Sequence, residues 1–364
     1  MRGGWGAQGG GWSWAGGRIL AALAVLTAAL LAFHSAVPDG AGRLGSLLEA
    51  FLPWLGAVVV ALSAPALWRR SATAAVALLL PAAVWAYHFG GLLLPVERGA
   101  PDLVVVQHNV SDENTDPAGT ARALIRAAPQ LIALEELTPA ALPLYASALA
   151  ARYPHHAVEG TVGLWSTYPL AGVRRLDIRP HGIGEGWNRG LRSAVRTPHG
   201  EIAVYVAHLP SVRLGPHGFG SGPRDESARL LGAAVGAEPL DTVVLLGDLN
   251  GTVDDRGLAP VTSRTGPPRR GLAFSWPAAF PVSRIDQVLA RSATVSDIRT
   301  LPATGSDHLP VAARIRFDSP SVSERTAHAD AGPPVMPWAA SCRRICRRPG
   351  VSSSSAGVRD PQRA

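Results

Sequence analysis

The chain has 364 residues, 47% of them hydrophobic, and carries 34 basic residues, all arginine, against 27 acidic ones. Such an excess would mark a nucleic-acid or anionic-surface binder if it sat on a folded domain; residues 101–317 hold 21 arginines against 20 acids, so the excess lies in the flanks. The only two cysteines, Cys342 and Cys346, lie close to the C-terminus, which excludes a disulfide framework or a cysteine metal site in the region before them.

Residues 1–18 read as a short cytoplasmic N-terminal segment. Three apolar stretches follow, at 19–37, 47–68 and 72–94, each close to the ~20 residues that cross hydrocarbon. They predict three transmembrane helices over residues 19–95. Arg2 and Arg18 precede the first stretch and Arg69 and Arg70 separate the second from the third, whereas Arg43 and Arg98 are offset by Asp39, Glu49, Glu97 and Asp102. That asymmetry keeps the amino terminus inside and places everything after the third stretch outside the plasma membrane. If the first stretch were instead a signal peptide cut near Ser35 and Ala36, two crossings would export the same region.

Residues 101–317 alternate strand-like and helix-like pieces. Strands are predicted at 103–110, 131–137, 161–166, 201–209, 242–249, 284–290 and 309–317, several as continuous apolar runs of the kind covered on both faces. Helices are predicted at 117–128, 138–152 and 224–237. The pattern is that of a layered α/β domain. Residues 318–364, rich in Ser, Pro, Ala and Arg and without an apolar period, are expected to form a disordered tail.

Polar residues recur at the ends of the predicted strands: Asn109, Glu136, His208, Asp248 with Asn250, Asp286, and Asp307 with His308. A buried carboxylate or imidazole is costly unless paired or bound to metal, so a series of them on successive strand ends points to one shared site. Asp248 and Asn250 are two apart and so point the same way in a strand. Glu135 and Glu136 are adjacent, so strand alternation allows only one to face that site.

These residues lie in six ordered stretches: Gln107-His108-Asn109, Ala133 to Leu137, Ala207-His208-Leu209, Gly247 to Asn250, Arg284 to Val288 and Ser306 to Val311. Together with VGLWSTYPL at 162–170, they resemble the motifs of the endonuclease/exonuclease/phosphatase superfamily. The resemblance implies a four-layer α/β sandwich (DNase I-like) and a phosphoesterase that uses Mg²⁺ or Mn²⁺. It makes Glu136 the main metal ligand, assisted by Asn109 and Asp307. Asp248 would orient or deprotonate the attacking water, and Asn250 would hold a phosphate oxygen. His308 would contact the phosphoryl group with Asp286 fixing its tautomer. His208 resembles a second histidine of hydrolytic members, with Glu159 as its candidate partner or, alternatively, a solvated loop carboxylate. The loop 182–192, with Trp187, Asn188, Arg189 and Arg192, reads either as a turn or as a subsite for a distal phosphate.

Three spans followed by an exported domain further resemble the VanJ-type membrane proteins associated with glycopeptide resistance. That likeness implies a lipid-linked substrate, undecaprenyl diphosphate. The near-zero charge of residues 101–317 argues against nucleic acid, whose binding relies on phosphate neutralisation. A tethered nuclease, a phospholipase C-like phosphodiesterase and a non-catalytic lipid-phosphate sensor are the competing readings.

Overall fold

A computed structural model describes residues 12–14, 16–40, 42–95 and 99–318. The predicted tail with Cys342 and Cys346, and most of the N-terminal segment, lie outside the described residues.

The N-terminal part comprises α1 (Arg18–Ala32), α2 (Leu44–Ala50), α3 (Leu55–Trp68) and α4 (Ala72–Phe89). Among the described residues, α4 with its following turn, Ala72–Leu93, is the one unbroken helix long and apolar enough to cross a bilayer, and the bent pair Leu44–Ala50 and Leu52–Trp68 meets the same criterion when taken as one broken span. The three expected spans thus correspond to one full-length apolar helix, one bent helix pair and one shorter apolar helix. The first helix is 15 residues long. The second stretch is broken at Phe51, where α2 and the segment Leu52–Trp68 meet at 68°. Pro53 sits in the turn after the break, and Glu49, on α2, has a partner on the far side of the chain.

That partner is Arg256. Its Nε and Nη2 donate to the two Glu49 carboxylate oxygens at 2.8 Å each, its backbone N–H donates to Oε2 at 2.9 Å, and Nη1 and Nη2 cap the carbonyls of Val37 and His34. Glu49 is 1% exposed, so α2 is docked on the polar domain. A bidentate guanidinium–carboxylate pair fixes direction as well as distance.

The domain itself runs β1 (Leu103–Asn109), α5 (Pro117–Arg126), β2 (Leu131–Glu135), α6 (Leu142–Leu149), β3 (His155–Glu159), β4 (Val162–Ser166), β5 (Leu170–Arg175), β6 (Gly190–Thr197), β7 (Gly200–Ala207), β8 (Leu214–Gly215), β9 (Gly218–Phe219), α7 (Gly222–Gly236), β10 (Val243–Asp248), α8 (Ala259–Thr262), β11 (Asp286–Arg291), β12 (Ala293–Thr300) and β13 (Val311–Phe317). One sheet has the order β12-β13-β1-β2-β4-β3 and the other β11-β10-β7-β6-β5. Their facing sides share one apolar core that includes Leu103, Val105, Val204, Val206, Val244, Leu246 and Val288. The outer side of the first sheet packs on α5 and α6 through Val106, Ile132, Leu124 and Tyr145, and that of the second on α7 through Tyr205, Leu245 and Leu231. The result is helix, sheet, sheet, helix, an α/β sandwich.

Strand parity carries the apolar interior to a polar end. On β1 the inward row is Leu103, Val105, Gln107, Asn109; on β7 it is Val204 and Val206, continued by His208; on β10, Val244, Leu246, Asp248; on β11, Asp286, Val288, Ala290. In each case the period of two that buries the valines also delivers the polar residue to the same edge. Gly247 (φ 153°) precedes Asp248 because a Cβ there would overlap the Ala207 carbonyl across the β7–β10 pairing.

Removing Arg256 leaves the buried Glu49 carboxylate without its cation. Arg256→Ala is expected to destabilise the full chain by about 3–5 kcal/mol, and Glu49→Gln on top of it to restore part of the loss. Thermal unfolding in detergent measures both; equal midpoints for wild type and Arg256→Ala would refute the docking role.

Candidate active site

Asn109 is the hub of the polar end. Its Nδ2 donates to Glu136 Oε1 and to Asp248 Oδ2, both at 3.1 Å, while its Oδ1 accepts from Ser111 N–H. His208 Nε2 lies 3.7 Å from the same two carboxylate oxygens. His308 Nε2 stands 3.8 Å from Asp248 Oδ2, and its Nδ1 pairs with Asp286 Oδ2 at 2.8 Å. The structure therefore gathers Asn109, Glu136, His208, Asp248, Asp286 and His308 into one constellation drawn from both sheets. Asn250 lines the same pocket, with a left-handed backbone (φ 49°) and its Nδ2 on the Leu209 carbonyl.

Glu135 and Glu136 behave differently from the alternation rule. The strand ends at Glu135, which points inward and is fully buried, and Glu136 adopts φ 61°, leaves the strand and turns its carboxylate to the pocket. Both acids reach the site region because the backbone stops alternating between them. Glu135 Oε2 accepts from Gln107 Nε2 at 2.8 Å, and the same nitrogen donates to Asp286 Oδ1 at 3.0 Å. Gln107, to which the family resemblance assigns no role, thus bridges two buried acids; its inward parity on β1 is the signal that marks it.

Two expectations are corrected. Glu159 forms no hydrogen bond or ion pair with His208; it ends the edge strand β3, and His208 is occupied by Arg189, whose Nη1 lies 3.2 and 3.3 Å from the two ring nitrogens. Arg192 faces away from the pocket, on β6, in a bidentate pair with the buried Glu238 at 2.7 and 2.9 Å. Its neighbour Arg189 is the loop cation that reaches the site. Asp307 is exposed at the rim, accepts from Trp276 Nε1 at 3.4 Å, and lines a shallow recess with Asp112, Glu113 and Glu136.

Electrostatics separate the roles of these groups. Burial pushes the Asp248 carboxyl up to about 7, against the pull of His308. Burial opposes charge on His308 too, but Asp286 and Asp248 outweigh it and raise the imidazole to about 10. The same partnership holds Asp286 below the usual carboxylate range despite its burial. Burial and the neighbouring Arg189 hold His208 well below its ordinary value, so it is neutral. The two histidines differ in charge because one has a carboxylate behind it and the other a guanidinium.

Asp248, Asp286 and His308 lie close enough to share a cation, yet a protonated His308 offers no lone pair and repels one. The carboxylates of Glu136 and Asp307, which line one recess, suit a hard divalent ion, and the Asn109 amide would join them through Oδ1 only after turning from Ser111.

The pocket around these groups measures about 560 Å³. Its other walls are Ser211 to Leu214, Phe219, Trp276 and, from the N-terminal helical part, Ala50 and Phe51. Sequence reasoning missed these wall residues because they lie in loops and in a presumed span, outside every motif.

The sequence profile of the endonuclease/exonuclease/phosphatase family matches residues 106–308, more than half of the chain and all of the constellation. The chain belongs to the endonuclease/exonuclease/phosphatase family. Its members cleave phosphoester bonds with a divalent metal ion, and the chain is a hydrolase of that class. Similar solved structures include humanised TDP2 of D. rerio (19% identity, 59% of this chain and 99% of that one, TM-score 0.49). Sphingomyelinase C from Streptomyces griseocarneus is 18% identical over 58% of this chain and 98% of its own (TM-score 0.46). A magnesium-bound beta toxin variant from Staphylococcus aureus is 15% identical over 58% and 99% (TM-score 0.46). No curated protein matches the sequence.

The pKa directions fix a pH response. Asp248, raised from 3.8 to about 7, binds a proton more tightly when folded, so its contribution to stability is full at acid pH and falls as pH rises through about 7. His308, raised from 6.5 to about 10, contributes stability that is full below 6.5 and lost as pH rises through about 10. In chelator, the unfolding midpoint is expected to fall between about pH 6 and about pH 9, and Mg²⁺ to flatten the fall by favouring ionised Asp248. A midpoint that climbs with pH in chelator would contradict both assignments.

Proposed function

We propose that the chain is a membrane-anchored, Mg²⁺-dependent phosphatase that acts on a lipid-linked diphosphate, undecaprenyl diphosphate, with its catalytic domain outside the plasma membrane. The observation that carries the lipid assignment is the pocket wall: Ala50 and Phe51, from the part of the chain that holds the bilayer-length helix, stand across from the catalytic groups. Leu214 (72% exposed) and Trp276 (39%) extend the wall toward solvent as apolar surface. Exposed apolar surface continuous with a catalytic pocket suits an amphiphile whose tail stays in lipid. The near-neutral domain suits a compact phosphate better than a polyanionic duplex.

In this reading Glu136 would hold the divalent ion, assisted by the amide oxygen of Asn109 and by Asp307 at the rim. When bound, the ion neutralises charge on the phosphoryl oxygens and favours ionised water. Asp248, poised near neutral pH by burial, accepts the proton of the attacking water. Asn250, beside it in the pocket, orients a phosphoryl oxygen. The His308 imidazolium, held by Asp286, stabilises the negative charge that builds up on the phosphoryl group. Neutral His208 directs Arg189 toward the same space.

Glu136→Ala and Asp248→Ala are each expected to lower kcat by roughly two to four orders of magnitude in folded protein. Phosphate release from undecaprenyl diphosphate in Mg²⁺ reads this, with phospholipid and DNA assayed in parallel. DNA cleavage without phosphate release would replace the substrate assignment by a tethered nuclease. Alkaline phosphatase fused after residue 317 is expected to be active in cells; a well-expressed but silent fusion would reverse the orientation.

A further inference from the structure

A second crevice, of about 280 Å³, lies where the end of α4 meets the domain, and shares only Ala50 and Ser283 with the catalytic pocket. On the helix side it is lined by Tyr87, His88 and Leu92, on the domain side by Asp254, Arg269 and Arg284. Arg284 is 6% exposed. Its Nη1 donates to the carbonyls of Gly271 and Leu272 at 3.2 and 3.3 Å, and its buried Nε has no partner. Among the described residues no carboxylate forms an ion pair with it; Asp254 acts on it only through space. The other buried arginines among the described residues each face a carboxylate, Arg192 with Glu238 and Arg224 with Asp255. A buried guanidinium without an anion is costly.

We propose that this crevice is a second anion site, which holds the phosphate of an anionic phospholipid headgroup, with Arg284 at its floor and Arg269 at its mouth. The planar guanidinium matches phosphate oxygens in a way that water does not. Tyr87 and Leu92 end the helix that is long enough to span, and an aromatic ring beside an aliphatic side chain suits the boundary between headgroup and acyl chain. Burial raises the Asp254 carboxyl, which weakens its opposition to an anion. Free phosphate shares the headgroup chemistry; the apolar helix side of the crevice favours the lipid. The inference rests on reading Ala72–Leu93 as a span, and on no catalytic role.

The test uses the full chain released from nanodiscs that contain equal amounts of phosphatidylglycerol and phosphatidylcholine, with retained lipid counted by native mass spectrometry. Wild type is expected to retain phosphatidylglycerol with about a tenfold preference, equivalent to about 1.4 kcal/mol. Arg284→Gln is expected to abolish the preference and Arg269→Ala to reduce it severalfold. Arg269 is exposed, so its removal spares the core and keeps the test valid if Arg284→Gln misfolds. Equal retention of the two lipids by wild type, or an unchanged preference in Arg269→Ala, overturns the site. Retention of inorganic phosphate in place of lipid when it is added in excess assigns the crevice to the free ion and overturns the headgroup. Flotation of the same protein with vesicles scores the span separately; failure to float withdraws the span and the headgroup source together.

Discussion

The structure turns on the burial of Asp248 and Asp286 at one end of an apolar interlayer. Two carboxylates without water are tolerable there only because His308 stands between them as a cation and because amide groups from Asn109 and Gln107 fill the remaining acceptor sites. Gln107 and Asn109 come from β1 and His308 from the loop before β13, whereas the two acids lie on β10 and β11, so the chemistry exists only when both sheets are closed. The same arrangement explains why Asp248 is not simply a charged ligand: a carboxyl balanced near neutrality can exchange a proton, whereas Asp286, tied to the imidazole, cannot.

Much of this was legible in the sequence because strand parity links the valines of the core to the polar residues at its edge. His208, Asp248 and Asp286 each follow an inward-facing apolar residue by two positions, or precede one, and Asn109 ends the inward row of β1 after Gln107. Glu136 is the exception: it reaches the pocket through a left-handed backbone, which alternation does not encode. Strands β5, β6 and β12 escaped prediction for a related reason. They carry arginines, as at Arg174, Arg192 and Arg299, and a buried Arg192 becomes acceptable only once Glu238, 46 residues away, is in place.

The helical part was read from hydropathy, which measures composition and not partners. Its second apolar stretch contains Glu49, a residue that looks incidental within a span and turns out to be the point where the helices grip the domain. Likewise Phe51 and Trp54 look like lipid-facing aromatics, yet Phe51 lines the catalytic pocket, and Trp54 stacks on Phe274 and donates to the Val282 carbonyl. Long-range partners of this kind leave no local pattern.

The loop before α2 is joined to the domain a second time, through a bridge between Gly42 and Gly218 and through Arg43, which meets Asp225 and Ser221. With a tie on either side of α2, the pocket wall made by Ala50 and Phe51 is held to the domain. In the proposed bilayer-anchored phosphatase that attachment would act as a ruler: the scissile bond would have to arrive at one set height above the lipid surface, so headgroups would be sorted by how far they project.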